Sequence, residues 1–196
     1  MSLNPEIMRP MRTMASCFML ALSIFLASVG DGYSQPASNR RPPLVLSAQQ
    51  IILEEKYSEP YSQEGFTVTP ASAIRDWVKT RLVADGTPGI IRVIILDARM
   101  TRQELKTKGG VRGWFTDDQK YRYDGRMHIR VEYQPASPGR YPSQAEAESS
   151  GYFTMPEDAT LNQLEKKAAD LVQDLMQRTD LEIENNMLRH MPGVVR

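Results

Sequence analysis

Cysteine and histidine are almost absent from this chain of 196 residues, which contains a single cysteine, Cys17, and two histidines, His128 and His190. A single cysteine excludes a framework of intrachain disulfides. A zinc site is disfavoured because neither an HxxxH nor an HExxH spacing occurs. The sequence also lacks the GxSxG turn of serine hydrolases and a glycine-rich phosphate loop. We therefore expect no metal, no cofactor and no catalytic residue.

The chain also lacks a net charge, since its 24 basic residues are matched by 24 acidic residues. This balance disfavours a general nucleic-acid binder, whose surface is strongly basic. The charges are nevertheless unevenly distributed. Residues 92–130 contain ten basic and five acidic residues, whereas residues 157–184 contain three basic and eight acidic residues. Opposite charges in two blocks of one small domain indicate either that the two blocks attract each other or that each lies on a solvent-exposed face.

No apolar run reaches the roughly 20 residues that a membrane-spanning helix needs. The main run, residues 17–29, follows Arg9 and Arg12 and ends in small residues. This order is typical of a secretory signal, so we expect cleavage after Gly30 and an exported, periplasmic protein that is soluble or peripherally membrane-associated. Cys17 is the first residue of this run, whereas a lipoprotein signal has its cysteine after the run. Lipidation at Cys17 is therefore the alternative and not the expectation.

Three segments are predicted along the chain: a signal peptide (1–30), a disordered tether (31–43) and a single domain (44–196). Within the domain, hydrophobic periodicity predicts the order β-α-β-β-β-α. The expected strands are residues 44–56, 90–100, 121–133 and 145–155; the expected helices begin at the caps Thr69 and Thr160 and end before Gly86 and Pro192. This order predicts an α+β two-layer sandwich, with a mostly antiparallel four-stranded sheet and two helices on one face.

Apolar spacing also predicts which face of each element is buried. In the strand 121–133, the odd-numbered side chains from Met127 to Tyr133 are apolar, and the even-numbered ones from Arg126 to Glu132 are polar. The buried faces expected for the helices are Ile74, Trp77, Val78 and Leu82 in the first, and Leu161, Leu164, Ala168, Leu171 and Leu175 in the second. The acidic residues of the second helix, including Asp180 and Glu184, are expected to face solvent.

One long connection stands out as a candidate binding site. Lys106–Lys120 joins two predicted strands and is far longer than the two to five residues of a tight hairpin. Its candidate partner- or membrane-binding residues are the basic Lys108 and Arg112 and the aromatic Trp114 and Phe115. The alternative is that both rings fold back and close the end of the core.

Two pieces of sequence carry a resemblance. Residues 109–124 read Gly-Gly-Val-Arg-Gly-Trp-Phe-Thr-Asp-Asp-Gln-Lys-Tyr-Arg-Tyr-Asp, and residues 154–162 read Thr-Met-Pro-Glu-Asp-Ala-Thr-Leu-Asn. With the element order, these pieces resemble a group of uncharacterised exported proteins of alphaproteobacteria. More loosely, the element order resembles envelope proteins that assist transport, namely the auxiliary lipoproteins of ABC-type lipid transporters and the lipopolysaccharide-assembly lipoprotein.

These observations lead to one main hypothesis and two alternatives. The main hypothesis is a non-enzymatic periplasmic accessory protein that binds an envelope protein or assists a lipid or envelope transport complex. The first alternative is a small periplasmic hydrolase that uses carboxylates. The second is a soluble domain that binds a lipid or a glycan. The sequence alone leaves the partner and the oligomeric state open.

Overall fold

The computed structural model describes residues 41–57, 66–105, 119–136 and 138–196. The signal segment with Cys17 and most of the predicted tether therefore lie outside the described residues. The elements in the described ranges are β1 (Leu44–Leu46), β2 (Gln50–Glu55), α1 (Pro70–Arg81), β3 (Leu82–Ala84), β4 (Gly89–Glu104), β5 (Gln119–Pro135), β6 (Ser143–Pro156) and α2 (Leu161–His190).

The main sheet has four strands in the order β2-β4-β5-β6. The edge strand β2 pairs parallel with β4, and α1 lies in the connection between them. The other two pairs, β4 with β5 and β5 with β6, are antiparallel. The predicted α+β class, with a mostly antiparallel four-stranded sheet and two helices, is therefore confirmed.

Both helices begin at the residues that the sequence predicts. The Thr69 hydroxyl accepts a hydrogen bond from the Ser72 backbone N–H at 3.1 Å, and the Ser72 hydroxyl accepts one from the Thr69 N–H at 2.9 Å. Thr160 and Gln163 form the same reciprocal capping box at the start of α2. None of the helices in the described ranges has the length and apolar composition that crossing a membrane requires.

Two predicted boundaries are wrong. The expected strand 44–56 is divided into β1 and β2, because β1 pairs with a strand of its own, β3, in a separate two-stranded parallel sheet. The first helix ends at Arg81 instead of continuing to Gly86, because Leu82 begins β3 opposite Leu44. Leu82 is buried in the strand as it would have been in the helix, so apolar spacing alone could not distinguish the two.

The core lies between the sheet and the two helices. The buried side chains of β4, β5 and β6 alternate along each strand and join those of α1 and α2 in one cluster. Gly125 and Gly151 face each other across β5 and β6 where α2 crosses the sheet. A Cβ atom at either glycine would lie 3.0 Å or less from a side-chain carbon of Leu171 or Leu175. The glycine pair therefore allows α2 to approach the strands closely.

A buried polar network joins α1 to α2. Arg81 and Asp180 are only 6% and 7% exposed. Arg81 Nε donates to Asp180 Oδ1 at 3.0 Å, and Arg81 Nη2 donates to Glu184 Oε2 at 2.7 Å. Trp77 Nε1 also donates to Asp180 Oδ1, at 2.8 Å, and Arg41 pairs with both carboxylates. The expectation that Asp180 faces solvent is wrong, because its carboxylate is the shared acceptor of this network.

Candidate functional site

The candidate residues taken from the sequence, Lys108, Arg112, Trp114 and Phe115, lie outside the described residues. Their role stays a prediction. The flanks of their segment are described: the Leu105 backbone N–H donates to the Lys120 carbonyl at 2.7 Å, directly beyond the paired ends of β4 and β5. The segment therefore connects β4 and β5 at one end of the sheet.

The described residues present a second candidate, the face of the four-stranded sheet opposite the helices, here called the open face. On β5, the predicted alternation is confirmed, since Met127, Ile129, Val131 and Tyr133 are buried and the even-numbered residues between them are partly exposed. Cross-strand register places the following side chains on the open face: Glu54, Arg92, Ile94, Asp97, Arg99, Thr101, Gln103, Arg122, Asp124, Arg126, His128, Arg130, Glu132, Gln144, Glu146, Glu148, Ser150 and Tyr152.

The end of the open face nearest the β4–β5 connection is basic. We call it the basic half; it consists of Arg99, Thr101, Arg122, Asp124, Arg126, Ser150 and Tyr152, with three arginines, one carboxylate and a net charge of +2. Arg99 and Arg126 lie directly opposite each other on β4 and β5. Both approach the same oxygen, Asp97 Oδ2, with Nε atoms at 3.4 and 3.6 Å.

Arg122 is held more firmly than its neighbours in the basic half. Its Nε and Nη2 atoms donate to Asp124 Oδ1 at 2.9 and 2.7 Å, and its guanidinium lies 3.7 Å from the centre of the Tyr152 ring. The hydrogen bonds to Asp124 raise the pKa of Arg122 above its ordinary value, so this arginine is a permanent cation. A concavity of about 520 Å³ lies over these side chains and over Arg99 and Arg126.

The opposite end of the open face is acidic. We call it the acidic half; it consists of Glu54, Arg92, Asp97, His128, Arg130, Glu132, Glu146 and Glu148, with five carboxylates, two arginines and a net charge of −3 when His128 is not counted. Arg130 Nε donates to Glu146 Oε1 at 2.6 Å, and His128 Nε2 lies 3.1 Å from Glu146 Oε2. The hydrogen bond from Arg130, and then that from His128, lower the pKa of Glu146.

Charged side chains of the open face cover an apolar residue of β4. Ile94 is on the open face, away from the core cluster, yet it is only 1% exposed. Its cross-strand neighbours are Glu54 and Arg130, so the stems of long charged side chains cover it. The order of the charged residues over the open face is set by the register of the strands that carry them.

The outer edge of β6 is partly protected by α2. Asn186 Nδ2 donates to the Glu146 carbonyl at 2.7 Å, and Arg178 Nη1 donates to the Ser150 carbonyl at 3.0 Å. These carbonyls are unavailable to a strand from another chain unless α2 releases them, which is a common way to protect an edge strand. The open face, and not this edge, is the accessible surface of the described sheet.

His128 lies among carboxylates on the open face. His128 has the carboxylates Asp97 and Glu148 as cross-strand neighbours, and not the hydroxyl or thiol of a nucleophile. Within the described ranges, no group of three His, Cys, Asp or Glu side chains has the arrangement of a metal site. Sequence reasoning missed the open face as a site, although the signals were the alternation in β5 and the excess of basic residues over 92–130.

No protein-family model matches the chain, and no curated protein sequence matches it. Solved structures to which it is similar include the rare lipoprotein B of Shewanella oneidensis, with 12% identity, a TM-score of 0.36, and coverage of 69% of this chain and 91% of that one. A minor lipoprotein of Acinetobacter baumannii has 15% identity, a TM-score of 0.37, and coverage of 76% and 96%. A Xanthomonas campestris protein of family DUF330 has 12% identity, a TM-score of 0.30, and coverage of 76% and 91%. Similarity at this level assigns neither a family nor a function to the chain.

Proposed function

We propose that this chain is an exported, non-enzymatic accessory protein of the cell envelope, and that it binds another envelope protein through its open face. The observation that carries this proposal is the bipolar charge of the open face, with a net charge of +2 in the basic half and −3 in the acidic half. Export is expected from the signal-like residues 1–30. The partner is a protein surface with an acidic patch opposite the basic half and a basic patch opposite the acidic half.

The stability of the fold does not explain the charge pattern of the open face. Ion pairs between exposed side chains each contribute about 0–1 kcal/mol to folding, and the side chains of Arg126 and Glu148, paired at 2.8 Å, are 39% and 46% exposed. The same charges are well suited to binding, because complementary potentials steer association and suppress incorrect partners. Their fixed positions on the strands also reduce the entropy lost on binding.

Site-specific photocrosslinking in the native host tests this proposal. A photoreactive residue is placed at Gln103, Gln144 or Ser150, which are exposed on the open-face side of the sheet. The matched control positions are Gln173 and Gln177, which are exposed on α2. Because all five positions accept a polar side chain at the surface, the variants are expected to fold alike.

We expect the three open-face positions to give an adduct of the same mass, and the two positions on α2 to give none. Added salt should lower the yield of the adduct. Screening by salt reduces contacts between exposed charges. An adduct from α2 with none from the open face would contradict the proposal, and so would adducts of equal intensity from both surfaces.

A further inference from the structure

We propose that the concavity in the basic half binds a phosphate group, either as a free phosphate or as the headgroup of a phosphorylated ligand. The concavity has a volume of about 520 Å³, and its described lining includes three arginines and a single carboxylate, Asp124. This inference goes beyond the proposed function, since it requires no protein partner.

The first observation is a pair of like charges. Arg99 and Arg126 lie directly opposite each other across β4 and β5, an arrangement that destabilises a sheet. The other described arginines of the open face have an acidic or uncharged residue opposite them, as Arg92 has Glu132. A phosphate between Arg99 and Arg126 would replace their repulsion with two attractive contacts.

The second observation is unused hydrogen-bonding capacity. The Nε atom of Arg126 is buried and donates to no acceptor in the structure; Asp97 Oδ2, at 3.6 Å, lies beyond hydrogen-bond distance. Among the described residues, the only ion-pair partner of Arg99 is the same Asp97, at 3.4 Å. Arg126 Nη2 is also paired with Glu148 Oε1, at 2.8 Å, but two carboxylates do not satisfy two guanidinium groups that carry five N–H donors each. The remaining donors match the oxygens of a phosphate.

The third observation is the surroundings of the arginine pair. Thr101 and Ser150 contribute hydroxyl groups to the lining, and Tyr152 forms a wall with Arg122 stacked on its ring. Since Arg122 is held by Asp124, it adds fixed positive charge without a change in position. The site therefore combines two arginines with free donors, a third fixed cation and neutral hydroxyls.

A second concavity of the open face serves as an internal control. Its volume is about 440 Å³, and the charged residues in its lining are Arg92 and Glu132, which lie opposite each other on β4 and β5. Because the two charges balance, this concavity offers no excess of positive charge to an anion. The phosphate site is therefore expected in the basic half alone.

Titration of the full chain, purified after export, with inorganic phosphate at constant ionic strength tests the inference. The readouts are calorimetry and the Nε–Hε signals of the arginines in ¹⁵N NMR spectra. We expect saturable binding of phosphate by the wild type. Arg99→Gln and Arg126→Gln should each lower the affinity roughly tenfold or more, as expected for the loss of one charge-assisted hydrogen bond. The matched variant Arg92→Gln should bind phosphate as the wild type does.

A second arm distinguishes a free phosphate from a headgroup, with phosphatidylcholine vesicles that contain or lack phosphatidic acid. The ligand is a headgroup if inorganic phosphate shows no saturable binding but the phosphatidic acid vesicles bind the chain. Arg99→Gln should then weaken the binding to vesicles, and Arg92→Gln should not. Absence of binding in both arms, or equal weakening by all three variants, would overturn the inference. The photocrosslinking test is independent, because an adduct at Gln144 does not require a phosphate in the basic half.

Discussion

The two faces of the sheet are built from the same strands but are stabilised by different interactions. On β5, the side chains that point to the helices are apolar and buried, whereas those that point to the open face are charged and partly exposed. The inner face is stabilised by burial, which contributes roughly 1.5–3 kcal/mol for each large apolar side chain. The open face is stabilised by exposed ion pairs, which contribute far less. We therefore expect inner-face substitutions to affect folding, and open-face substitutions to affect binding.

The largest loss of stability is expected at the buried network between the helices. Asp180→Ala removes the acceptor of Arg81 and Trp77 and leaves a buried cation with one carboxylate fewer. Removing one partner of a buried ion pair typically costs about 3–5 kcal/mol. Urea unfolding of the variant should show this decrease, whereas Glu182→Ala, at an exposed position of the same helix, should unfold like the wild type. Equal midpoints for the two variants would contradict the burial of the network.

A slightly smaller loss is expected in the apolar core. Leu175 is fully buried against the sheet, so Leu175→Ala should lower the free energy of unfolding by roughly 2–5 kcal/mol. Leu181, six residues further along α2, is 49% exposed and provides the matched control. Leu181→Ala should cost about 0.5 kcal/mol or less. Similar losses for both leucines in a denaturant titration would show that α2 has a different buried side.

On the open face, the expected effect on stability is small and depends on pH. The pKa of Glu146 is lowered in the folded chain by the hydrogen bond from Arg130 and then by that from His128. A lowered folded-state pKa adds stability above the ordinary value of 4.5, and this stability is lost as the pH falls through the folded-state pKa. Glu146→Gln should therefore destabilise the chain by about 0.5–1 kcal/mol at neutral pH.

In acid, the difference between Glu146→Gln and the wild type should disappear, because the wild-type carboxyl is then protonated as well. Thermal unfolding of both proteins from neutral pH to below the ordinary carboxyl pKa checks this convergence. The control is Glu182→Gln on the exposed side of α2, which should follow the wild type at every pH. A gap that persists in acid would mean that Glu146 stabilises the sheet through packing and not through its charge.

Local patterns in the sequence predict much of this fold because their causes are local. The caps at Thr69 and Thr160 depend on residues three positions away, and the alternation of β5 follows from the geometry of a strand. The division between β1 and β2 depends instead on pairing with β3, which lies more than 30 residues further along the chain.

The candidate site was less predictable because it is formed by contacts between distant segments. Arg99 and Arg126 are opposite each other only through the register of β4 and β5, which a β-bulge shifts between Ile95 and Asp97. Likewise, the burial of Asp180 depends on Arg81, 99 positions earlier in the chain. Single-sequence periodicity contains no information about such register or pairing.

A charge swap between the two halves of the open face tests the central claim most directly. Arg126→Glu combined with Glu148→Arg keeps both charges and the possibility of their ion pair, but it changes the net charge of the basic half from +2 to 0 and that of the acidic half from −3 to −1. Because the two side chains are 39% and 46% exposed, stability should change by about 1 kcal/mol or less. In the photocrosslinking assay from Gln144, we predict that the swapped chain folds and loses the adduct. A swapped chain that retains the full adduct would contradict the account.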